Sequence, residues 1–173
     1  MLAGIDSATT SISLMTYIFD NDSEGHKFVE ALDRARLRGV DIRVLVDAVG
    51  ARYSYPTILG ELRGRGINAR RFLPLHKSAL FHFNLRNHRR LLAIDGETAF
   101  TGGLNIRAHH VLENNPKHPT RDLHFRIRGP VVAQLQESFA ADWNLSTGEQ
   151  LRGERWFSPT ANAGITPARA IAD

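Results

Sequence analysis

The sequence contains no cysteine, little lysine and no long run of apolar residues. Without cysteine, the chain can form neither a disulfide framework nor a metal site with thiolate ligands. No apolar stretch approaches the roughly 20 residues that a membrane-spanning helix needs, so no transmembrane segment is predicted. Because lysine is scarce, nearly all of the positive charge is carried by arginine, whose planar guanidinium can bind phosphate in a bidentate manner.

The length and composition are those of one globular domain. The 173 residues are 42% hydrophobic and 23% charged, which is enough to build a real core. The 22 Lys and Arg residues outnumber the 18 Asp and Glu residues, for a formal net charge of +4. This mild excess favours partners that carry phosphate, but it does not distinguish nucleic acid from lipid.

Strand and helix patterns alternate along the first seventy residues. The chain is predicted to begin with the last turns of a helix, over residues 1–10. Strands are then predicted over residues 11–19, 40–46 and 67–72, and helices over residues 24–38 and 56–63. This order is typical of parallel strands with covering helices. The predicted fold class is α/β: a mixed, mostly parallel β-sheet with helices on both faces.

The later part of the chain is predicted to complete the domain. A basic and aromatic loop over residues 73–86 leads into the centre of the sequence, and a strand over 121–128 precedes a helix over 131–143. The adjacent His109 and His110 are predicted to be exposed rather than metal ligands, since no carboxylate cluster accompanies them. Residues 1–145 are therefore predicted to form the domain. Residues 146–173 are predicted to be a linker with a possible strand at its end.

The central stretch runs from Asn87 to Asn105, N-H-R-R-L-L-A-I-D-G-E-T-A-F-T-G-G-L-N. Its residues 91–94 read as a buried strand that enters a tight turn. Side chains alternate between the two faces of a strand, so His88 and Arg90 are expected to point the same way, about 7 Å apart along the strand. Asn105 lies where a helix could begin, with free backbone N–H groups for an anion. A phosphate site is predicted here.

This stretch resembles the signature of the phospholipase D superfamily, H-x-K-x4-D-x6-G-(G/S)-x-N. The matching positions are His88, Asp95, Gly102, Gly103 and Asn105. The sequence departs from the signature at Arg90, where the family has lysine. Arginine keeps the charge and can bind phosphate, although it is longer and less compact than lysine. We expect Arg90 to remain a phosphate clamp, with weakened catalysis or a degenerate half-site as the alternatives.

The resemblance extends over most of the chain, which looks like the amino-terminal half of bacterial cardiolipin synthases. The segments that carry it include T-Y-I-F, R-G-V-D-I-R-V-L-V-D and R-D-L-H-F-R-I-R-G-P-V-V. Members of that family have two halves, each with one signature, around a shared site. This chain has one signature, because the second H-x-R, at His124 and Arg126, has Val131 where the aspartate is required.

The resemblance implies a covalent mechanism with two histidines and neither metal nor cofactor. One histidine forms a phosphohistidine, and the other protonates the departing alcohol. His88 would be one of the pair, and a strand carboxylate, matched by Asp122, would orient it. The groups implied to hold the phosphate are Arg90, Asn105, Gly102 and Gly103. Asp95 is predicted to be structural, because an odd-numbered strand position faces away from His88.

The expected function is one half of a cardiolipin-synthase-like phosphatidyltransferase acting on a phospholipid. Its partner would be a second motif-bearing half, and the parent protein would be associated with the cytoplasmic side of a membrane. One alternative is a single-motif endonuclease that completes its site as a homodimer, although nucleic acid is the less favoured substrate. Another is a non-catalytic module that binds phosphate or a lipid head group.

Overall fold

The computed structural model describes residues 1–72 and 88–171, which include six strands and four α-helices. The loop predicted over residues 73–86 lies outside the described residues. In chain order the elements are α1 (Leu2–Ser7), β1 (Ser11–Thr16), α2 (Ser23–Leu37), β2 (Asp41–Asp47), α3 (Ile58–Gly64), β3 (Asn68–Phe72), β4 (Leu91–Ile94), β5 (Thr98–Gly102), β6 (His124–Arg128) and α4 (Val131–Thr147). Of the described helices, none is long and apolar enough to cross a membrane.

The strands form one mixed sheet in the order β3-β2-β1-β4-β5-β6. Strands β1, β2 and β3 are parallel, whereas β4, β5 and β6 each pair antiparallel with the preceding neighbour in that order. The predicted mixed sheet is confirmed. Its pairing is less parallel than predicted, because three of the five described pairings are antiparallel.

The two kinds of connection explain the two halves of the sheet. Helices α2 and α3 each return the chain to the start of the next strand, which produces parallel neighbours. Between β4 and β5 the chain instead reverses at Asp95 and Gly96, whose φ angles are 54° and 67°. Two consecutive positive φ angles match the twist of a two-residue hairpin, so β4 and β5 are antiparallel.

Helices cover both faces of the sheet, as predicted. Buried side chains of α1, α2 and α3 form one core with one face of the sheet. A second core lies on the other face, where Val132, Phe139 and Trp143 of α4 pack. Helix α2 begins one residue after Asp22, which accepts hydrogen bonds from the N–H groups of Glu24 and Gly25. Asp22 is therefore the N-cap of α2.

Residues after α4 pack against the second core for part of their length. Leu151 and Trp156 are buried. The Arg43 guanidinium lies 5.8 Å from the ring centre of Trp143 and 5.3 Å from that of Trp156. The predicted linker over residues 146–173 is therefore attached to the body through its first part. Residues 168–171 form no strand, and the predicted division at residue 145 stays a prediction.

The β4–β5 turn is bound to the start of β1 through the Asp95 carboxylate. It accepts hydrogen bonds from the backbone N–H groups of Thr9, Thr10 and Ser11 at 2.8–3.2 Å. The hydroxyls of Thr9 and Thr10 also donate to it at 3.0 Å. Burial alone would raise the pKa of this carboxyl, but the hydrogen bonds from Ser11, Thr10 and Thr9 outweigh it, and the pKa lies below its usual value. This geometry supports the structural role expected of Asp95.

We predict that Asp95→Asn lowers the free energy of unfolding by about 1–3 kcal/mol at neutral pH, because hydrogen bonds to a charged acceptor contribute more than neutral ones. Asparagine tolerates the positive φ, so backbone strain does not confound the comparison. Because folding lowers the carboxyl pKa, the stabilisation exists above the ordinary pKa of about 4 and is lost as pH falls through the folded value. Urea unfolding at several pH values should therefore show wild type and variant converging in acid.

Glu97→Gln provides the matched control for this experiment. Glu97 is exposed and lies two residues away, and its carboxylate accepts no hydrogen bond from any described residue. Its substitution should change stability by less than about 0.5 kcal/mol. Equal losses in the two variants would show that the general charge of the turn, rather than the Asp95 hydrogen bonds, stabilises the sheet.

Candidate active site

The predicted site residues gather at one edge of the sheet. Strands β1, β2, β3 and β5 end at this edge, and the antiparallel β4 and β6 begin there. Residues 88–90 precede β4, Asn105 follows β5, and Asp122 precedes β6. The expectation that residues 88–90 form part of a strand is wrong, since β4 begins at Leu91. Their proximity comes from the shared sheet edge.

Arg90 is held in place by three neighbours. Its Nε donates to Oδ1 of Asn105 at 3.0 Å, and its Nη1 donates to the backbone carbonyl of His88 at 2.5 Å. Its guanidinium lies 5.7 Å from the ring centre of Tyr17. Burial lowers the pKa of the Arg90 guanidinium, and Asp122 and Tyr17 partly oppose this. Arg90 and Asn105 are thus brought together as predicted.

Asn105 does not begin a helix, in contrast to the prediction. Residues 104 and 105 are irregular, and the next helical turn is a 3-10 segment at Ala108–His110. The Asn105 side chain instead joins two segments, because Oδ1 also accepts from the N–H of Ile18 at 3.2 Å. The asparagine therefore positions Arg90 beside the end of β1, and in the described part of the chain no helix begins at Asn105 to offer N–H groups to an anion.

His88 lies at the surface of this cluster. Its ring meets the Tyr17 ring edge-on, with centroids 4.7 Å apart and an interplanar angle of 88°. The same Tyr17 ring contacts Arg90, so the imidazole and the guanidinium flank one aromatic side chain. His88 is exposed and lies outside the core. The arrangement leaves its ring accessible to a substrate.

The two glycines allow the start of β6 to approach the end of β5. A Cβ at Gly102, where φ is 152°, would clash with the backbone carbonyl of Leu123. A Cβ at Gly103 would clash with the carboxylate of Asp122. The N–H of Gly103 donates to the Leu123 carbonyl at 2.9 Å. The glycine pair therefore has a close-packing role that places Asp122 at the site edge.

Asp122 is exposed, and its carboxylate accepts from the N–H of Leu123 at 2.7 Å. Within residues 1–72 and 88–171, no hydrogen bond joins it to His88. Its negative charge acts on Arg90, His110 and His124. The orientation of His88 by Asp122 thus stays a prediction.

Two half-buried histidines lie near the site and were not assigned to it from the sequence. Ring nitrogens of His110 (Nδ1) and His124 (both) are buried without a hydrogen-bond partner in the described structure. Burial lowers the pKa of both imidazoles. The expectation of an exposed side chain is confirmed for His109 and wrong for His110. The sequence feature that could have assigned His110 to the site is its position a few residues after the signature.

An ion pair continues the cluster beyond Asn105. Arg107 Nε lies 3.0 Å from Oδ2 of the buried Asp20, without the alignment of a hydrogen bond. Burial raises the pKa of the Asp20 carboxyl, although Arg107 opposes this. The Arg107 guanidinium also lies 6.0 Å from the centre of the Tyr53 ring, which meets Tyr17 edge-on. The sequence did not indicate this pair or the central position of Tyr17.

Comparison with known proteins identifies close similarity to one family. The family described as the phospholipase D-like domain of cardiolipin synthase matches residues 1–143. A cardiolipin synthase of Geobacillus sp. is 36% identical over 156 residues, which are 90% of this chain and 31% of the relative. One from Listeria monocytogenes is 32% identical over 145 residues, covering 83% of this chain and 30% of the relative. The chain thus spans about a third of the length of these relatives.

Solved structures share the fold. Nuc from Salmonella typhimurium, a phospholipase D family member, has a TM-score of 0.62 and 22% identity, with 88% of each chain covered. A phosphatidylserine synthase from Haemophilus influenzae has a TM-score of 0.64 and 16% identity, over 84% of this chain and 34% of that one. At these identities the similarity concerns the fold alone.

We predict that alanine has different effects at the two glycines. Gly102→Ala meets backbone and requires an unfavourable φ, so it should lower the free energy of unfolding by more than about 2 kcal/mol. Gly103→Ala meets a side chain that can rotate away, so it should cost less and mainly displace Asp122. Urea unfolding measures the first effect, and the backbone amide NMR shifts of Leu123 measure the second. Equal destabilisation would contradict this difference.

Proposed function

Because this chain belongs to the family of phospholipase D-like domains of cardiolipin synthases, we propose that it is one half of a phosphatidyltransferase. It would act on the phosphodiester of a phospholipid through a phosphohistidine. The observation that carries the proposal is the cluster of His88, Arg90 and Asn105 around Tyr17 at one sheet edge. An exposed imidazole beside a fixed guanidinium suits attack on a bound phosphate.

In the first step, an imidazole nitrogen of His88 attacks the phosphorus opposite the leaving oxygen. The N–P bond forms as the P–O bond breaks, and a second imidazolium gives its proton to the departing alcohol. In the second step, the acceptor hydroxyl attacks the phosphorus and gives its proton to that second imidazole. The N–P bond then breaks, which restores His88. The acceptor would be glycerol, another phospholipid or water.

Arg90 would hold the non-bridging phosphate oxygens. Its Nε and Nη1 already bind Asn105 and His88, whereas Nη2 has no partner among the described residues. This third nitrogen can donate its N–H groups to an anion. Because the contacts of Nε and Nη1 already hold the side chain in place, less conformational entropy is lost when the anion binds. Asn105 would act chiefly by positioning Arg90, because its Oδ1 is engaged by two donors. Asp122 would orient His88 once substrate or a partner closes the site.

The second imidazole would come from a second motif-bearing half or from a second copy of the chain. Support comes from the edge strand β6, whose start belongs to the site. Leu123 and Phe125 at this start are 70% and 56% exposed. Large exposed apolar side chains next to a polar site are typical of a surface that another protein covers. The substrate would lie in a membrane, so the parent protein would work at a membrane surface, on its cytoplasmic side.

Two alternatives use the same residues. In a homodimeric endonuclease, a twofold axis would supply His88 twice. The similarity to Nuc covers 88% of each chain, so the two chains are of about the same size, which favours considering this alternative. In a non-catalytic module, Arg90 would bind phosphate or a lipid head group without turnover.

We predict that the purified chain alone has little or no phosphatidyl transfer activity. It supplies one signature histidine, and the missing acid catalysis is typically worth about 10²–10⁴-fold in rate. Transfer and DNA cleavage should be measured beside the mass in solution. A monomer that transfers as fast as the protein with both halves would contradict the proposal. A dimer that cleaves DNA, with loss in His88→Ala but not in the exposed control His118→Ala, would establish the nuclease.

We predict that Asp122→Asn reduces turnover in the active protein while the fold is kept. The loss should be part of the roughly 10²–10⁴-fold that a positioned acid or base contributes, because the imidazole would lose its orienting carboxylate. The pH profile of kcat should also shift, and Glu137→Gln on the exposed face of α4 should change neither quantity. Full activity of Asp122→Asn would show that another group orients His88.

A further inference from the structure

Three arginines on and beside β3, an outer strand of the described sheet, have no carboxylate partner among the described residues. They are Arg63 at the end of α3 and Arg70 and Arg71 on β3, and all three are exposed. We call this surface the β3-edge patch. Other arginines do form ion pairs with Asp or Glu: Arg34, Arg36, Arg43, Arg65, Arg89, Arg107 and Arg155. The three charges of the patch lie close together, since Arg63 and Arg70 donate to the same carbonyl and the charges of Arg70 and Arg71 both act on Arg63.

The geometry of the patch brings like charges together. Arg63 Nε and Arg70 Nη1 both donate to the backbone carbonyl of Ala69, at 2.8 and 3.1 Å. Burial, followed by repulsion from Arg70 and Arg71, lowers the pKa of Arg63. Two exposed guanidinium groups that share one acceptor repel each other, although water and salt screen the repulsion, and a bound anion would relieve it further. The arrangement therefore favours a partner with several closely spaced negative charges.

We infer that the β3-edge patch docks the domain on a bilayer surface that contains anionic phospholipid. Guanidinium groups bind phosphate in a bidentate manner, and an exposed strand edge fits a broad surface better than a small solute. The carboxyl end of β3 lies on the same side of the sheet as the candidate active site, so docking through β3 would bring that site near lipid. The choice of lipid as the partner rests on the proposed function, whereas the observation of the three arginines is independent of it.

The test is sedimentation of the chain with phosphatidylcholine vesicles, with and without phosphatidylglycerol. Wild type should bind the anionic vesicles, and binding should weaken with salt. Arg70→Gln/Arg71→Gln should lower the partition coefficient by about fivefold per arginine, or roughly 25-fold for the pair. Arg70→Lys/Arg71→Lys keeps the charge and should retain most of the binding, which excludes loss through misfolding.

Arg126→Gln/Arg128→Gln is the matched control. These arginines are also exposed and unpaired in the described structure, but they lie on β6 at the opposite edge of the sheet. The change in net charge is the same, so this variant should bind anionic vesicles nearly as well as wild type. Equal loss in the two double variants would overturn the inference, because it would reflect net charge alone.

Two further outcomes separate this inference from the proposed function. If the β3-edge variant loses binding to duplex DNA and keeps binding to vesicles, the patch serves nucleic acid and the inference is wrong. His88→Ala should bind vesicles like wild type, because docking does not use the histidine. Patch-dependent vesicle binding, together with no phospholipid turnover in the protein that has both halves, would contradict the proposed function and leave the docking surface established.

Discussion

The Asp95 carboxylate joins the two differently built halves of the sheet. It binds three consecutive N–H groups at Thr9, Thr10 and Ser11, while the N–H of Asp95 donates to the Ser11 carbonyl at 2.9 Å. These contacts fix the register of β4 against β1. A slip of one residue would reverse the faces of β4 and move Arg90 away from Tyr17. A residue at one end of a strand thereby determines the geometry at the other end, where the site lies.

The site is organised around hydrogen bonds to backbone and one aromatic ring. Asn105 links Arg90 to the N–H of Ile18, and Tyr17 contacts both Arg90 and His88. Such contacts hold a guanidinium in place before an anion arrives, which reduces the cost of ordering it on binding. Arginine suits this role better than a lysine would, because its several N–H groups can serve the protein and a ligand together.

Two exposed surfaces of the domain lie on the outer strands of the described sheet, β6 and β3. The start of β6 exposes Leu123 and Phe125 beside the site, whereas β3 exposes arginines without partners. The first surface has the apolar character of a contact with protein, and the second has the charge of a contact with phosphate. We propose the first surface as the contact with a second half and the second as the contact with a bilayer.

The sequence by itself determined most of the local elements and indicated the residues of the candidate site. The apolar run of β4 and the Asp95-Gly96 turn are local patterns, and both are present as predicted. Only the tertiary structure decided that Asn105 serves as a link rather than a helix start, that His110 is half-buried, and that most described strand pairings are antiparallel. These properties depend on segments far apart in the chain, such as Ile18 and Asn105. Periodicity and turn chemistry report a residue's neighbours along the chain, whereas burial and pairing depend on its neighbours in space.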